Sequence, residues 1–402
     1  MRRHHGRLPA ADHREGADRR FGRRPAPGSR RNRCGCRKTR SMTPSDDLTK
    51  PAADRARFCY FRDQIPLSDQ QLARARNALD IVRSFMETQK TLDGDGFTET
   101  SPLWTGVTDY AADLVAGEQA ALERLRFLSW PFSGISLLHM ATSPEVIGGP
   151  TDYSDPDASL ASIEARGLDL EMSHALDAAE QFSALLPITL PQQMGEVGWL
   201  GPHGVVNLDT IAFSERIAMM ANFGAIQHIM EQTRRHVVVE IGGGFGGIAY
   251  ILKRALPNLH YVIVDLPSSL AFSAAYLSAT RPDARIAFFD GRSEANLDKN
   301  DDFLFVPHYA WSDIVECLQH ADLGLNTLSF AEMTEAQVDG YGQGLARLLP
   351  PDGLLFEQNF DDRRRGGLNV PDILSRYFDD VSPSETGPIL RGVPKLWAPK
   401  AA

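Results

Sequence analysis

Glu240, five glycines between positions 242 and 247, and Asp265 sit close together in VVVEIGGGFGGIAYILKRALPNLHYVIVDLP, residues 237–267. Glycine costs conformational entropy in an ordinary helix or strand. A run of it marks a tight bend, or a place where the backbone lies against something that tolerates no side chain. Between a buried strand and a helix, such a bend turns backbone amides of the helix N-terminus toward a polar ligand group. An acid just before the bend suits a ligand with a cationic amine and is less apt beside a pyrophosphate. An acid ending the next strand is a two-oxygen acceptor that can take both hydroxyls of a ribose.

Two ligand patterns fit the same residues. Gly242-x-Gly244-x-x-Gly247 is the dinucleotide fingerprint, a weak signal by itself. Glu240-x-Gly242-x-Gly244-x-Gly246 is the first motif of class I methyltransferases that use S-adenosylmethionine. Glu240 favours the second pattern, because that cofactor carries an amine. Asp265 suits either, since both cofactors have the ribose. Pro267, directly after Leu266, already starts the next helix, which weakens the case for Asp265 as a mere turn acid.

The elements around these residues read as an α/β unit. HVVVEI is a buried strand, GGIAYILKRAL a helix, HYVIVDL a second strand and PSSLAFSAAYLSAT a second helix. RIAFFD (285–290) and FLFVP (303–307) compete for the third core strand, the other being an insertion. ADLGLNTLSF supplies the fourth strand, TEAQVDGYGQGLARLL a helix and GLLFEQN the fifth, with one or two final strands in GPILRGVPKLWAP. Alternating strands and helices predict a mostly parallel, doubly wound, Rossmann-like sheet with ligands at its carboxyl edge. Upstream, helices are expected over 66–92 (started by Pro66 and Ser68), 109–128, 168–186 and 209–234, the last capped by Asp209 or Thr210. Gly/Pro-rich segments lie at 148–159 and 195–207. The expected division is a basic leader at 1–41, a mainly helical region at 42–208 serving substrate or oligomerisation, and the Rossmann-like domain at 209–402.

Composition bounds the function. The chain has 402 residues and a net charge of −10. Residues 1–41 hold thirteen arginines and Lys38 against three acids, a charge of +11 that leaves −21 for the remainder. An acidic body argues against a nucleic-acid surface. The leader has no periodicity and is expected to be disordered and dispensable or non-native. No apolar run approaches the ~20 residues of a membrane helix. Cys34, Cys36, Cys59 and Cys317 are too scattered for a disulfide framework, which suits a reducing cytoplasm. Cys34-Gly-Cys36 lacks further metal ligands. DGDGFTE (93–99) starts like a calcium loop, but Trp104 stands where the bidentate glutamate belongs, so no metal site is expected.

Residues 190–360 resemble the sugar O-methyltransferase family. VVEIGGGFGG, VIVDLP, LNTLSFAEM and LLFEQN carry the likeness, with GEVGW and VVNLDT before them. The resemblance implies methyl transfer from S-adenosylmethionine to a hydroxyl of a sugar or glycosylated small molecule. It implies that Glu240 holds the methionine amine, that Gly242, Gly244 and Gly246 admit the cofactor to the backbone, and that Asp265 takes the ribose hydroxyls. Leu266 would pack near the adenosine, and Asn326 would face the methionine carboxylate or the methyl. An aromatic or polyketide hydroxyl is the rival acceptor. A nicotinamide-dependent oxidoreductase and a non-catalytic binding protein are the readings outside this class.

A sugar hydroxyl is a weak acid, so a general base is expected. Glu332, after the fourth strand, is one candidate. His203, in GWLGPHGVVN, and His308, after FLFVP, are the others. Glu196, Asn207 and Asp209 surround the His203 loop as candidate binders of sugar hydroxyls. Asn359, beside Glu357 and Gln358 at the end of the fifth strand, is a further one. Each also has an ordinary explanation as a cap or a strand end.

Overall fold

The glycine loop sits at the centre of an eight-stranded sheet whose core strands are greasy on both faces. In the computed structural model, described residues are 57–59, 63–92, 97, 108–129, 188–201, 204–230, 234–291, 300–359, 368–384 and 392–401. The leader, the expected helix at 168–186, the 148–159 segment and all of DGDGFTE except Phe97 lie outside them. Residues 47–402 make one compact unit.

A small antiparallel sheet comprises β1 (Arg57–Cys59), β2 (Gly198–Gly201) and β3 (Gly204–Val206). The second and third strands form a hairpin where the sequence suggested only Gly/Pro-rich loop. The large sheet holds β4 (His236–Ile241), β5 (Leu259–Asp265), β6 (Ile286–Phe288), β7 (Phe303–Pro307), β8 (Leu323–Thr327), β9 (Leu354–Asn359), β10 (Phe378–Asp380) and β11 (Val393–Pro399). Its order is β10-β11-β9-β8-β4-β5-β7-β6. Every residue of β4 and β7 is buried. That is what a parallel strand covered by helices on both faces requires.

The chain leaves β4 toward β5 on one side and returns to β8 on the other. This reversal opens a crevice at the carboxyl ends of β4 and β8, the ligand site of open α/β sheets. FLFVP is the third core strand: it pairs directly with β5, while β6 pairs with its outer side as a half-buried edge strand. β11 runs antiparallel beside β9 within the expected C-terminal stretch, and β10 precedes that stretch as the outer edge.

Among the described residues the α-helices are α1 (Asp69–Gln89), α2 (Thr108–Val115), α3 (Gln119–Glu123), α4 (Leu125–Leu128), α5 (Leu208–Asn222), α6 (Ala225–Met230), α7 (Gly247–Ala255), α8 (Pro267–Thr280), α9 (Trp311–Leu318), α10 (Glu335–Leu348) and α11 (Val370–Leu374). The single helix expected over 109–128 is three short ones, and that over 209–234 breaks at Gly224, where φ is +88°. Neither Asp209 nor Thr210 caps α5. Asn207 does, in a capping box with Thr210, because its side chain accepts from the amides of both.

Helix α8 is buried from Pro267 through Ala279. A helix covered all round needs a partner away from the sheet, and small Ser and Ala side chains let one approach. That partner is α1, opened by a capping box between Ser68 and Gln71. It buries Leu72, Ala75, Leu79, Val82 and Phe85 in the same core as Leu270, Phe272 and Tyr276. Arg74 donates to Ser278 O at 3.1 Å and Ala284 O at 2.6 Å, and Gln71 to Ala279 O at 2.9 Å. Leu79→Ala should therefore cost about 2–5 kcal/mol of the stability of the whole unit. Urea unfolding followed by circular dichroism is expected to show one transition moved to lower denaturant, not a separate early step.

Candidate active site

The loop after β4 has glycines for two separate reasons. Gly242, Gly244 and Gly246 have φ of +77°, +55° and +85°, a region that side chains disfavour. Gly243 and Gly247 sit in close contact instead. A Cβ on Gly243 would meet Ile263 Cγ2 at 2.7 Å, and one on Gly247 would meet Phe213 at 2.5 Å. At Gly242 both reasons apply, since a Cβ would lie 2.1 Å from Ser329 Oγ. The Gly242 amide donates to Val264 O at 2.9 Å and Gly246 N to Gly243 O at 2.9 Å, so the bend is tied to β5 and to itself. Phe245, the one side chain of the bend, is buried and turned inward.

The two flanking acids lie on neighbouring strands. Glu240 is buried, and its Oε2 accepts from the Tyr261 hydroxyl at 3.1 Å. Burial raises its pKa to about 8, against the Tyr261 hydrogen bond; the Asp265 charge adds to the rise and the Arg216 charge opposes it. Asp265 is half-buried at the crevice. Its Oδ2 accepts from Gly244 N at 3.1 Å and its Oδ1 from Leu266 N at 2.7 Å. Burial lifts its pKa to about 7 in spite of these donors. Asp265 thus does serve the turn, joining the glycine loop to the start of α8. The Ser269 hydroxyl and the Gly243 amide also donate to this carboxylate.

Arg216 was not foreseen. It is buried on α5, one turn beyond Phe213, whose ring presses against Gly247. The Arg216 guanidinium lies 5.7 Å from that ring, and its charge acts on both Glu240 and Asp209. The signal in the sequence was its i, i+3 spacing from Phe213; nothing local named its partners.

Asn326 is wholly buried at the carboxyl end of β8. It donates to Ile241 O at 2.9 Å and Ser329 Oγ at 2.6 Å, and accepts from Asn359 Nδ2 at 2.9 Å. Asn359 in turn donates to Glu357 at 2.6 Å and accepts from Ala331 N at 3.1 Å. These amides knit the ends of β4, β8 and β9 together. Burial raises Glu357 to about 7. Leu328, between β8 and the turn that carries Ser329 and Glu332, has φ of +72° and donates to Gln358 O at 2.8 Å. A leucine in that region stores strain at the crevice rim. Glu332 is half-buried on this turn, Leu266 is half-buried across the crevice, and His308 is buried at the end of β7 with its ring 5.7 Å from that of Tyr309. His203 lies outside the described residues.

Glu196, Asn207 and Asp209 come together, buried, around Arg126. Glu196 accepts from Arg126 Nε at 2.6 Å and Asn207 Nδ2 at 2.5 Å, and Asp209 accepts from Arg126 Nη2 at 2.6 Å. Burial raises Asp209 to about 6, with Arg126 opposing. Among the described residues, no group of three or more His, Cys, Asp or Glu side chains gathers as for a metal ion. No described helix is long and apolar enough to cross a membrane.

No family model and no curated protein matches the sequence. Among solved structures the chain is similar to the pyocyanin biosynthetic protein PhzM, at 15% identity over 45% of this chain and 55% of that one, with TM-score 0.30. It is also similar to a precorrin-6y C5,15-methyltransferase from Geobacter metallireducens, at 12% identity over 49% and 90%, TM-score 0.30. A TehB-like SAM-dependent methyltransferase from Corynebacterium glutamicum gives 13% identity over 47% and 96%, TM-score 0.29. The chain thus matches just over half the length of the first of these. Likeness at this level carries no argument about chemistry, which rests on the residues.

The raised pKa of Glu240 has a sign that can be tested. In the unfolded chain the acid ionises near its ordinary 4.5, and in the fold near 8. Between those values the folded protein holds the extra proton, so stability falls as pH rises. Glu240→Gln keeps an acceptor for Tyr261 and removes the titration. Its melting temperature is expected to exceed that of the wild type by more at about pH 9 than at about pH 5; differential scanning calorimetry at both values checks it.

Proposed function

We propose that the protein is an S-adenosylmethionine-dependent methyltransferase that methylates a hydroxyl of a sugar or glycosylated small molecule. The observation that carries the reading is the placement of Glu240 and Asp265 on adjacent strands around the glycine loop, at the sheet's switch point. A cofactor with an amino acid at one end and a ribose in the middle fits this set. Glu240 suits its ammonium and Arg216 its carboxylate, while Asp265 suits the ribose hydroxyls, with Leu266 beside the adenosine. Gly242, Gly244 and Gly246 keep the backbone bare where it approaches. A pyrophosphate would meet the buried Glu240 instead. The dinucleotide order of six parallel strands also ends differently, since β11 beside β9 is antiparallel.

When bound, the cofactor supplies a sulfonium methyl that needs no further activation. The protein's work is alignment and removal of one proton. Glu332, on the turn at the crevice rim, is assigned as the base that takes the proton from the acceptor hydroxyl. Asn326 and Asn359 are assigned to holding that turn in place. Glu196 and Asn207 are assigned to the entry of α5. Residues 42–208 are assigned to the acceptor side and 209–402 to the cofactor side. The sugar as acceptor rests on the resemblance of residues 190–360.

Asp265→Ala and Arg216→Met should each weaken binding of S-adenosylhomocysteine at least about tenfold, roughly 1.4 kcal/mol, by isothermal titration calorimetry. NAD should leave the melting temperature of the wild type unchanged. A shift with NAD and none with S-adenosylhomocysteine would overturn the cofactor. With methyl-labelled cofactor and a panel of nucleotide sugars, glycosides and phenols, label on phenols alone would overturn the acceptor.

A further inference from the structure

Phe245 is the only residue between 242 and 247 with a side chain, and that side chain is held by a charge from far upstream. The Arg126 guanidinium lies over its ring, 3.5 Å from the centroid. The Tyr276 ring packs perpendicular to it with centroids 5.3 Å apart, and the Phe213 centroid is 6.0 Å away. Arg126 is itself fixed on every side. Its Nε and Nη2 reach Glu196 at 2.6 and 3.4 Å, Nη2 reaches Asp209 at 2.6 Å, and Nη1 donates to Ser129 Oγ at 2.7 Å. Its backbone amide donates to Met194 O at 2.8 Å. Burial works against the charge, and the two carboxylates more than restore it.

A buried ion cluster adds little net stability over an apolar cluster of the same size, but its directional bonds set a register. A guanidinium with fixed hydrogen bonds presents one flat face in one place. Here that face meets the ring that the glycine bend must bury. We propose that Arg126 is a positioning residue for the glycine loop: by clamping Phe245 it sets the backbone of residues 242–246 in the shape that receives the ligand. Its effect on ligand binding rests on the reading of this loop as a cofactor site; its effect on loop shape does not. The segments at 125–129, 194–197 and 207–210, remote from the loop in sequence, are then part of the site.

The test uses the full-length protein with Arg126→Lys, Phe245→Leu and the double substitution. Lysine keeps the charge without the flat fork, and leucine keeps an apolar anchor without the ring. Hydrogen–deuterium exchange without ligand reads the amides of Gly242, Gly244 and Gly246, with those of 260–264 in β5 as reference. Either single change should speed loop exchange at least about tenfold and leave β5 unaltered, and the double should go little further, because both break one contact. The affinity for S-adenosylhomocysteine should fall by about tenfold in the same non-additive way. Loop exchange at the wild-type rate in folded Arg126→Lys overturns the proposal. So does an additive double, since a merely structural role predicts independent losses. If Arg126→Lys does not fold, unaltered loop exchange in Phe245→Leu overturns it equally. Faster loop exchange in the variants, with a wild type that itself takes no S-adenosylhomocysteine, supports the clamp while removing the cofactor reading alone.

Discussion

A backbone bend that side chains cannot follow is the constraint around which the molecule is arranged. Three glycines at positive φ turn the chain from β4 into α7, and the space beside Gly242, Gly243 and Gly247 is already taken by Ser329, Ile263 and Phe213. The bend is pressed between the turn after β8, strand β5 and helix α5. Its amides have few free directions left: Gly242 is bonded to β5, Gly244 to Asp265 and Gly246 to the loop itself. Preorganisation of this kind lowers what a ligand must spend in ordering its own site. The rim beyond β8 is held in the same manner by the amides of Asn326 and Asn359 and by the strained Leu328.

Charge around the bend is unusual for its concealment. Burial raises Glu240, Asp265, Asp209 and Glu357, and two buried guanidiniums, Arg126 and Arg216, stand among them. In a medium of low dielectric each of these interactions is stronger than at the surface. An acid kept neutral by burial is poised for a cation. On the proposed reading, the ammonium of the cofactor brings the charge that ionises Glu240, so binding and proton release are one event. A pyrophosphate would bring the opposite charge to the same carboxyl. On that reading the two cofactors differ in charge at this carboxyl: the ammonium favours its ionised form and a pyrophosphate its protonated one.

The local elements were legible where the pattern is strong. Strands β4, β5, β8 and β9 follow from apolar runs ended by Gly or a polar residue, and α8 from Pro267 and a continuous small-apolar run. Choice of the third strand was open because RIAFFD and FLFVP both hold short apolar runs; the pairing of the wholly buried β7 with β5 separates them. Asp209 was read as a cap because it is acidic and precedes an apolar run. Asn207, two residues earlier, makes the stronger box with Thr210. Asp265 was read for a ligand alone, and its bonds to Gly244 and Leu266 give it a second task. Arg126 and Arg216 were illegible for a common reason. A buried arginine is decided by partners distant in sequence, and no spacing rule reaches across 70 residues from Arg126 to Glu196.

Composition also points to why the two halves of the chain are interlocked. A parallel sheet needs helices on both faces, but α8 is apolar on the side away from the sheet as well. Left uncovered, that side would be a hydrophobic patch running directly from Asp265 and Leu266. Helix α1 removes it from water, and the contacts of Arg74 and Gln71 with backbone carbonyls beyond the middle of α8 fix where it lies. The same core continues through Phe245 and Tyr276 to the glycine loop. Upstream residues therefore enter the site twice, once as cover for the helix that Asp265 begins and once as the cation over Phe245. A ligand seated on the loop would bear on both, so the region expected to hold the acceptor is mechanically joined to the one expected to hold the cofactor.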